Sequence, residues 1–161
     1  MSDAATHSKE AGTTDAPALQ LPHSPPWIFV DRIDAVDGHD AIQATRRIVD
    51  DDPFVRAHFG GRGQIFPGVL LIEMVGQVAT LLQAVGPGRN EALTGKAVPP
   101  VQHVLGRCKA SFHSPARVGD LLTICVRRQD TVGSATLFRG SISCDGRPIC
   151  TVELLGATLT E

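Results

Sequence analysis

The order of apolar and polar positions divides the chain into a polar lead, two strand-like runs, one long apolar run and a β-rich remainder. Residues 1–18 are rich in Ala, Thr, Ser and Asp without an apolar run, and they read as a disordered tail ahead of one domain over residues 19–161. Leu21 to Pro26 is proline-rich and extended. Trp27 to Val36 carries the Ile, Phe and Val of a strand, and Asp37-Gly38 turns the chain into a second strand-like run from Ala41 to Val49. Between Pro53 and Pro67, Gly60, Gly61 and Gly63 give the backbone the freedom of an irregular loop.

From Gly68 to Val85 nearly every position is apolar, which predicts a helix surrounded by protein on most sides. Pro67 fits its first turn and Gly86-Pro87-Gly88 its end. Ile65 to Val85 is long enough to be mistaken for a membrane span. Its opening at Pro67-Gly68, with Glu73 and Gln77 near its middle, favours a buried helix instead. Four strand-like runs follow: Val101 to Phe112, Leu121 to Arg128, Ala135 to Cys144 and Ile149 to Leu159. The third alternates cleanly, with Thr136, Phe138, Gly140, Ile142 and Cys144 on one face and Leu137, Arg139, Ser141 and Ser143 on the other. Asp145-Gly146 is a hairpin signal. These elements predict an α+β fold in which an antiparallel sheet wraps around the long apolar helix.

A chain of 161 residues, 42% hydrophobic, can bury a continuous core without metal or disulfide staples. Its net charge of −2 is spread along the chain, so it lacks the basic stripe of a nucleic-acid binder. Cys108, Cys125, Cys144 and Cys150 form neither a CxxC pair nor zinc-ligand spacing, and they read as small buried hydrophobes in a reducing compartment. With no secretory signal in the lead, a cytoplasmic location is expected. His7 lies in the tail and His39 in a turn, and His23, His103 and His113 have no partners at metal-ligand spacing.

Glu73, Gln77 and Thr80 fall at i, i+4 and i+7, so the few polar groups of the helix share a stripe. Burying an ionised carboxylate costs on the order of several kcal/mol unless it is paired. Two readings of Glu73 stand side by side: a residue at a subunit boundary satisfied by Gln77 or a backbone donor, and a proton donor. His58, in the loop before the helix, supplies an imidazole. A neutral imidazole and a protonated, partly buried carboxyl make a base and acid pair suited to chemistry near neutral pH.

Leu21-Pro-His-Ser-Pro-Pro-Trp-Ile-Phe-Val-Asp-Arg32, Ala57-His58-Phe59, Phe66-Pro67-Gly68-Val69-Leu70 through Glu73 to Gln77, and Arg107 through Phe112 to Pro115 with Gly119-Asp120 occur in order. Together they resemble the FabZ-type (3R)-hydroxyacyl-[acyl-carrier-protein] dehydratases, from about Leu21 to Leu159. The resemblance implies a hotdog fold working as at least a homodimer, each active site taking His from one subunit and Glu from the other. It assigns His58 as the base at the carbon alpha to the thioester and Glu73 as the acid that protonates the departing 3-hydroxyl. The implied product is the trans-2-enoyl thioester, formed without a metal or redox cofactor. The implied substrate is a 3-hydroxyacyl chain on the phosphopantetheine of acyl carrier protein. Gly68, at the helix start, is the candidate to meet the thioester oxygen with a backbone N–H. Gln77 either orients Glu73 or packs, and Phe66 and Phe59 are further substrate-binding candidates. Because the carrier is acidic in this family, Arg107, Lys109, Arg117, Arg127 and Arg128 are candidates for docking it.

Two departures stand out. The family reads His-Phe-Pro-Gly where Gly60 replaces the proline here, in a loop one residue longer, which frees the backbone beside His58. The chain has no tyrosine, so an aromatic gate of that type is replaced or missing, with Phe66 and Phe112 the candidates to line the tunnel. Either departure fits a specialised dehydratase of polyketide or polyene assembly. The alternatives are a hotdog acyl thioesterase and a non-catalytic subunit forming a heterodimer with a related dehydratase. The presence of both His58 and Glu73 argues against the non-catalytic reading.

Overall fold

The computed structural model describes residues 14–15, 21–84 and 102–159. The expected helix stop at Gly86-Pro87-Gly88 lies outside the described residues, as does the polar lead apart from Thr14–Asp15. Those two residues form a short strand, β1, that pairs with Ile33 and Arg32. The other strands are β2 (Arg32–Asp37), β3 (Ala41–Arg47), β4 (Gln102–Phe112), β5 (Leu121–Val132), β6 (Ala135–Cys144) and β7 (Arg147–Leu159). They make one seven-stranded sheet in the order β1-β2-β3-β5-β6-β7-β4. Every pairing in it is antiparallel.

Local chemistry sets the register. At the β6–β7 turn Asp145 and Gly146 both take positive φ, 49° and 79°, the conformation that matches the twist of a two-residue hairpin. Along β6 the buried positions are Thr136, Phe138, Gly140, Ile142 and Cys144, the face that alternation assigned to the core. The apolar run forms α2 (Gly68–Ala84), 17 residues that pack across β3 and β5 and reach β6, β7 and β4. Met74, Val75, Val78 and Leu82 are fully buried, each contributing about 1.5–3 kcal/mol of burial free energy. Gly140 is where helix and sheet approach most closely, since a Cβ there would run into Cγ1 of Val75.

Three local expectations change. Residues 53–57 are not loop: Pro53–Ala57 forms a short helix, α1, whose N-cap Asp52 accepts from the N–H groups of Phe54 (2.8 Å) and Val55 (3.4 Å). Residues 27–30 form no strand, although Phe29 and Val30 are fully buried; Asp31 donates its N–H to the carbonyl of Thr45, and β2 begins only at Arg32. The wrap around α2 is also incomplete among the described residues. Val69 is 70% exposed, and Ile72, Glu73, Gly76, Thr80 and Gln83 are only partly covered. These positions recur every three or four residues, so the sheet covers most of the helix and leaves one stripe uncovered.

Gly140→Ala is expected to lower the unfolding free energy by about 1–3 kcal/mol through overpacking against Val75. In the same denaturant melt, Ser141→Ala on the opposite, exposed face stays within about 0.5 kcal/mol of wild type.

Candidate active site

Glu73 sits on the uncovered stripe of α2, and one turn later Gln77 points into the core with 1% of its surface exposed. A buried primary amide must satisfy an acceptor oxygen and two N–H groups, and Gln77 does so. Its Oε1 accepts from the backbone N–H of Phe29 (2.9 Å). Its Nε2 donates to the carbonyl of Trp27 (3.0 Å) and to Oε1 of Glu73 (3.0 Å). The amide thereby takes up the backbone groups that residues 27–29 would otherwise offer to a neighbouring strand, and it anchors the Glu73 carboxylate. Nε2 of His23 lies 3.3 Å from the same Oε1. Sequence reasoning set His23 aside because it has no spaced partner. The one available signal was its place in the Leu21-to-Arg32 segment.

His58 follows α1 and opens a 3-10 turn over His58–Gly61. Arg46 holds the base of this element through ion pairs to Asp31 and to the buried Asp52, both at 2.9 Å. Nδ1 of His58 is 3.0 Å from the carbonyl of Ile65. A carbonyl only accepts, so this bond places the proton on Nδ1 and leaves the Nε2 lone pair available as a base. The ring stacks on Phe59 with centroids 3.9 Å apart. Phe59 and Gly60 have φ of 54° and 63°. Proline is locked near −65°, so the proline that the family pattern carries cannot occupy position 60 in this turn.

A cavity of about 200 Å³ opens beside the stripe, lined by His23, Glu73, Gln77, Thr80, His103 and Phe138 among others. His58 does not line it, so the chain does not bring its own imidazole to its own Glu73 across this cavity. Neither Phe66 nor Phe112 lines it either. Phe66 is a core residue, 1% exposed, in edge-to-face contact with Phe29. Phe112 is half-exposed and lies against Gly68, where an added Cβ would come within 3.4 Å of its ring. A second ring at the cavity that sequence reasoning missed, besides His23, is His103, whose pKa burial holds below the usual imidazole value.

The basic candidates are dispersed. Lys109, Glu153, Arg139 and Arg127 stand in one cross-strand row over β4, β7, β6 and β5. That row alternates with the buried Phe138 and Leu154, so it lies on the sheet face away from α2. Arg107 is exposed on β4, Arg117 is in the loop before β5, and Arg128 is half-buried with its backbone N–H donating to the carbonyl of Asp40.

The family model described as a FabA-like domain matches residues 21–153. The chain belongs to the FabA-like family. It is 32% identical over 126 residues to the 3-hydroxyacyl-[acyl-carrier-protein] dehydratase FabZ of Paramagnetospirillum magneticum, covering 78% of this chain and 74% of that protein. It is 28% identical over 141 residues to FabZ of Erwinia tasmaniensis, covering 88% and 89%. Among solved structures, the dehydratase heterocomplex ApeI:P from Xenorhabdus doucetiae is similar with a TM-score of 0.71 and 20% identity, over 88% of this chain and 89% of that one. A hypothetical thioesterase with coenzyme A from Streptococcus pneumoniae matches at 0.58 and 13%, over 80% and 85%. These likenesses establish the hotdog fold class. No helix among the described residues is long and apolar enough to cross a membrane.

Gln77→Leu keeps the volume but leaves the N–H of Phe29 buried without an acceptor. It is expected to cost about 1–3 kcal/mol of stability in thermal or denaturant melts. Gln77→Glu keeps the acceptor for Phe29 but sets a buried carboxyl against two acceptors, the carbonyl of Trp27 and the carboxyl of Glu73, and is expected to be at least as destabilising as Leu at neutral pH.

Proposed function

We propose that the protein is a (3R)-hydroxyacyl-[acyl-carrier-protein] dehydratase whose active site is completed by a second copy of the chain. The observation that carries this reading is the division of labour within one chain. Glu73 is clamped at the wall of a cavity, while His58 is held elsewhere with Nε2 as its available base. Membership of the FabA-like family and similarity to proteins named FabZ support the same chemistry.

In the elimination, Nε2 of His58 takes the proton from the carbon alpha to the thioester. The electron pair of that C–H bond forms the new carbon–carbon double bond, and the bond from the beta carbon to the hydroxyl breaks. The Glu73 carboxyl gives its proton to the departing oxygen, which leaves as water. Both ends need help, because an alpha proton is weakly acidic and hydroxide is a poor leaving group, and each assisted transfer contributes about 10²–10⁴ in rate. Charge that grows on the thioester oxygen is met by backbone N–H groups at the start of α2, with Gly68 as the donor. The substrate is carried on the phosphopantetheine arm of acyl carrier protein, and the exposed Arg and Lys side chains of the sheet attract that acidic partner.

The test is an assay on 3-hydroxyacyl carrier protein that follows both enoyl-thioester absorbance and free thiol. Wild type is expected to raise the absorbance without releasing thiol, and His58→Ala and Glu73→Gln are each expected to lose about 10²–10⁴ of the rate while keeping wild-type melting curves. Thiol release without enoyl product would establish a thioesterase instead. An inactive homo-oligomer that gains activity with a related hotdog subunit would establish the heteromeric reading.

A further inference from the structure

His23 comes from the extended segment ahead of the core and ends against the catalytic carboxyl. Its Nε2 is 3.3 Å from Oε1 of Glu73, its Nδ1 is buried with no hydrogen-bond partner, and the ring lines the cavity. Oε1 of Glu73 also receives the N–H of Gln77 at 3.0 Å. Among the described residues both contacts fall on one oxygen of the carboxyl and none on the other.

We infer that His23 is a positioning residue for Glu73: with Gln77 it occupies Oε1 and leaves Oε2 to carry the proton delivered to substrate. The inference rests on the dehydratase reading and deepens it. A carboxyl oxygen that already accepts one N–H and faces a second is a poor seat for the acidic proton, so the proton resides on Oε2. When the Oε2–H bond breaks, the proton goes to the hydroxyl oxygen as the bond from carbon to that oxygen cleaves, and Glu73 is left as a carboxylate. The N–H groups of His23 and Gln77 then face an oxygen whose charge has increased, so their interaction is stronger in the transition state than with bound substrate. Interactions of that kind raise kcat and leave KM nearly unchanged. His58 holds the proton taken from carbon, and exchange with solvent resets both groups. Among the described residues, the titratable side chains at the cavity are His23, Glu73 and His103, the last contributed by β4, while Gln77, Thr80 and Gln83 are neutral.

His23→Phe removes the donor and keeps a ring; His23→Gln returns an N–H to the same region. On 3-hydroxyacyl carrier protein, His23→Phe is expected to lower kcat about 10–100-fold with KM within about twofold of wild type, and His23→Gln to recover most of the loss. Independently of turnover, the ¹⁵N spectrum of His23 is expected to show the proton on Nε2, with a signal that moves in Glu73→Gln. Equal losses in both His23 variants, or a rise in KM alongside a fall in melting temperature, would overturn the inference in favour of a purely structural histidine. A proton on Nδ1, or a signal indifferent to Glu73→Gln, would overturn it as well. Wild type without dehydration activity would instead sink the dehydratase reading, and the spectrum would still decide whether His23 engages Glu73.

Discussion

The buried amide of Gln77 is the constraint on which the arrangement depends. A primary amide inside a core has to find one donor and two acceptors nearby or be destabilising by about 1–3 kcal/mol for each group left unpaired. Gln77 finds them in the backbone of Trp27 and Phe29 and in the carboxylate of Glu73. Residues 27–29 are thereby tied to the helix instead of to a strand. The aromatic rings of Trp27, Phe29, Phe54 and Phe66 then pack edge to face around that tie, with centroids 5.2–5.9 Å apart. This cluster joins the segment bearing His23, the short helix before His58 and the residue before Pro67, so the pieces of the site share one anchorage.

The second constraint is the mismatch between helix and sheet. A helix that is apolar nearly all round is stable only when protein covers all of it, yet the sheet covers one side and leaves the stripe from Val69 to Gln83. The cavity and Glu73 are on that stripe, whereas His58 does not line the cavity and is bonded to the carbonyl of Ile65. A second copy that covers the stripe and presents its own His58 satisfies both the packing and the chemistry. On this account the incomplete wrap is the opening through which the partner contributes.

Much of the fold was legible because it depends on local periodicity. The two-residue alternation of β6, the Asp145-Gly146 turn and the apolar run of α2 each declare themselves within a few residues. What escaped depends on contacts far apart in sequence or on elements too short to show a period. The five residues of α1 span little more than one turn, and only Asp52-Pro53 hints at its cap. Residues 27–31 have strand composition, but the carbonyl of Trp27 and the N–H of Phe29 are taken by Gln77. Of the candidate site, Glu73 and His58 stood out as a carboxyl in an apolar helix and an imidazole in the segment before it. His23 and His103 did not, because each acquires meaning only when the fold brings it to the cavity. Gly60 read as a loosening of the loop, whereas its positive φ marks a defined turn.

The central claim is that two chains build one site, and hybrid dimers test it most directly. Co-expressing differently tagged His58→Ala and Glu73→Gln chains and isolating the species that carries both tags gives a dimer with one site intact and one doubly disabled. The account predicts that this hybrid regains about half of the wild-type dehydration rate, although each parent is nearly inactive. A hybrid as inactive as its parents would contradict it.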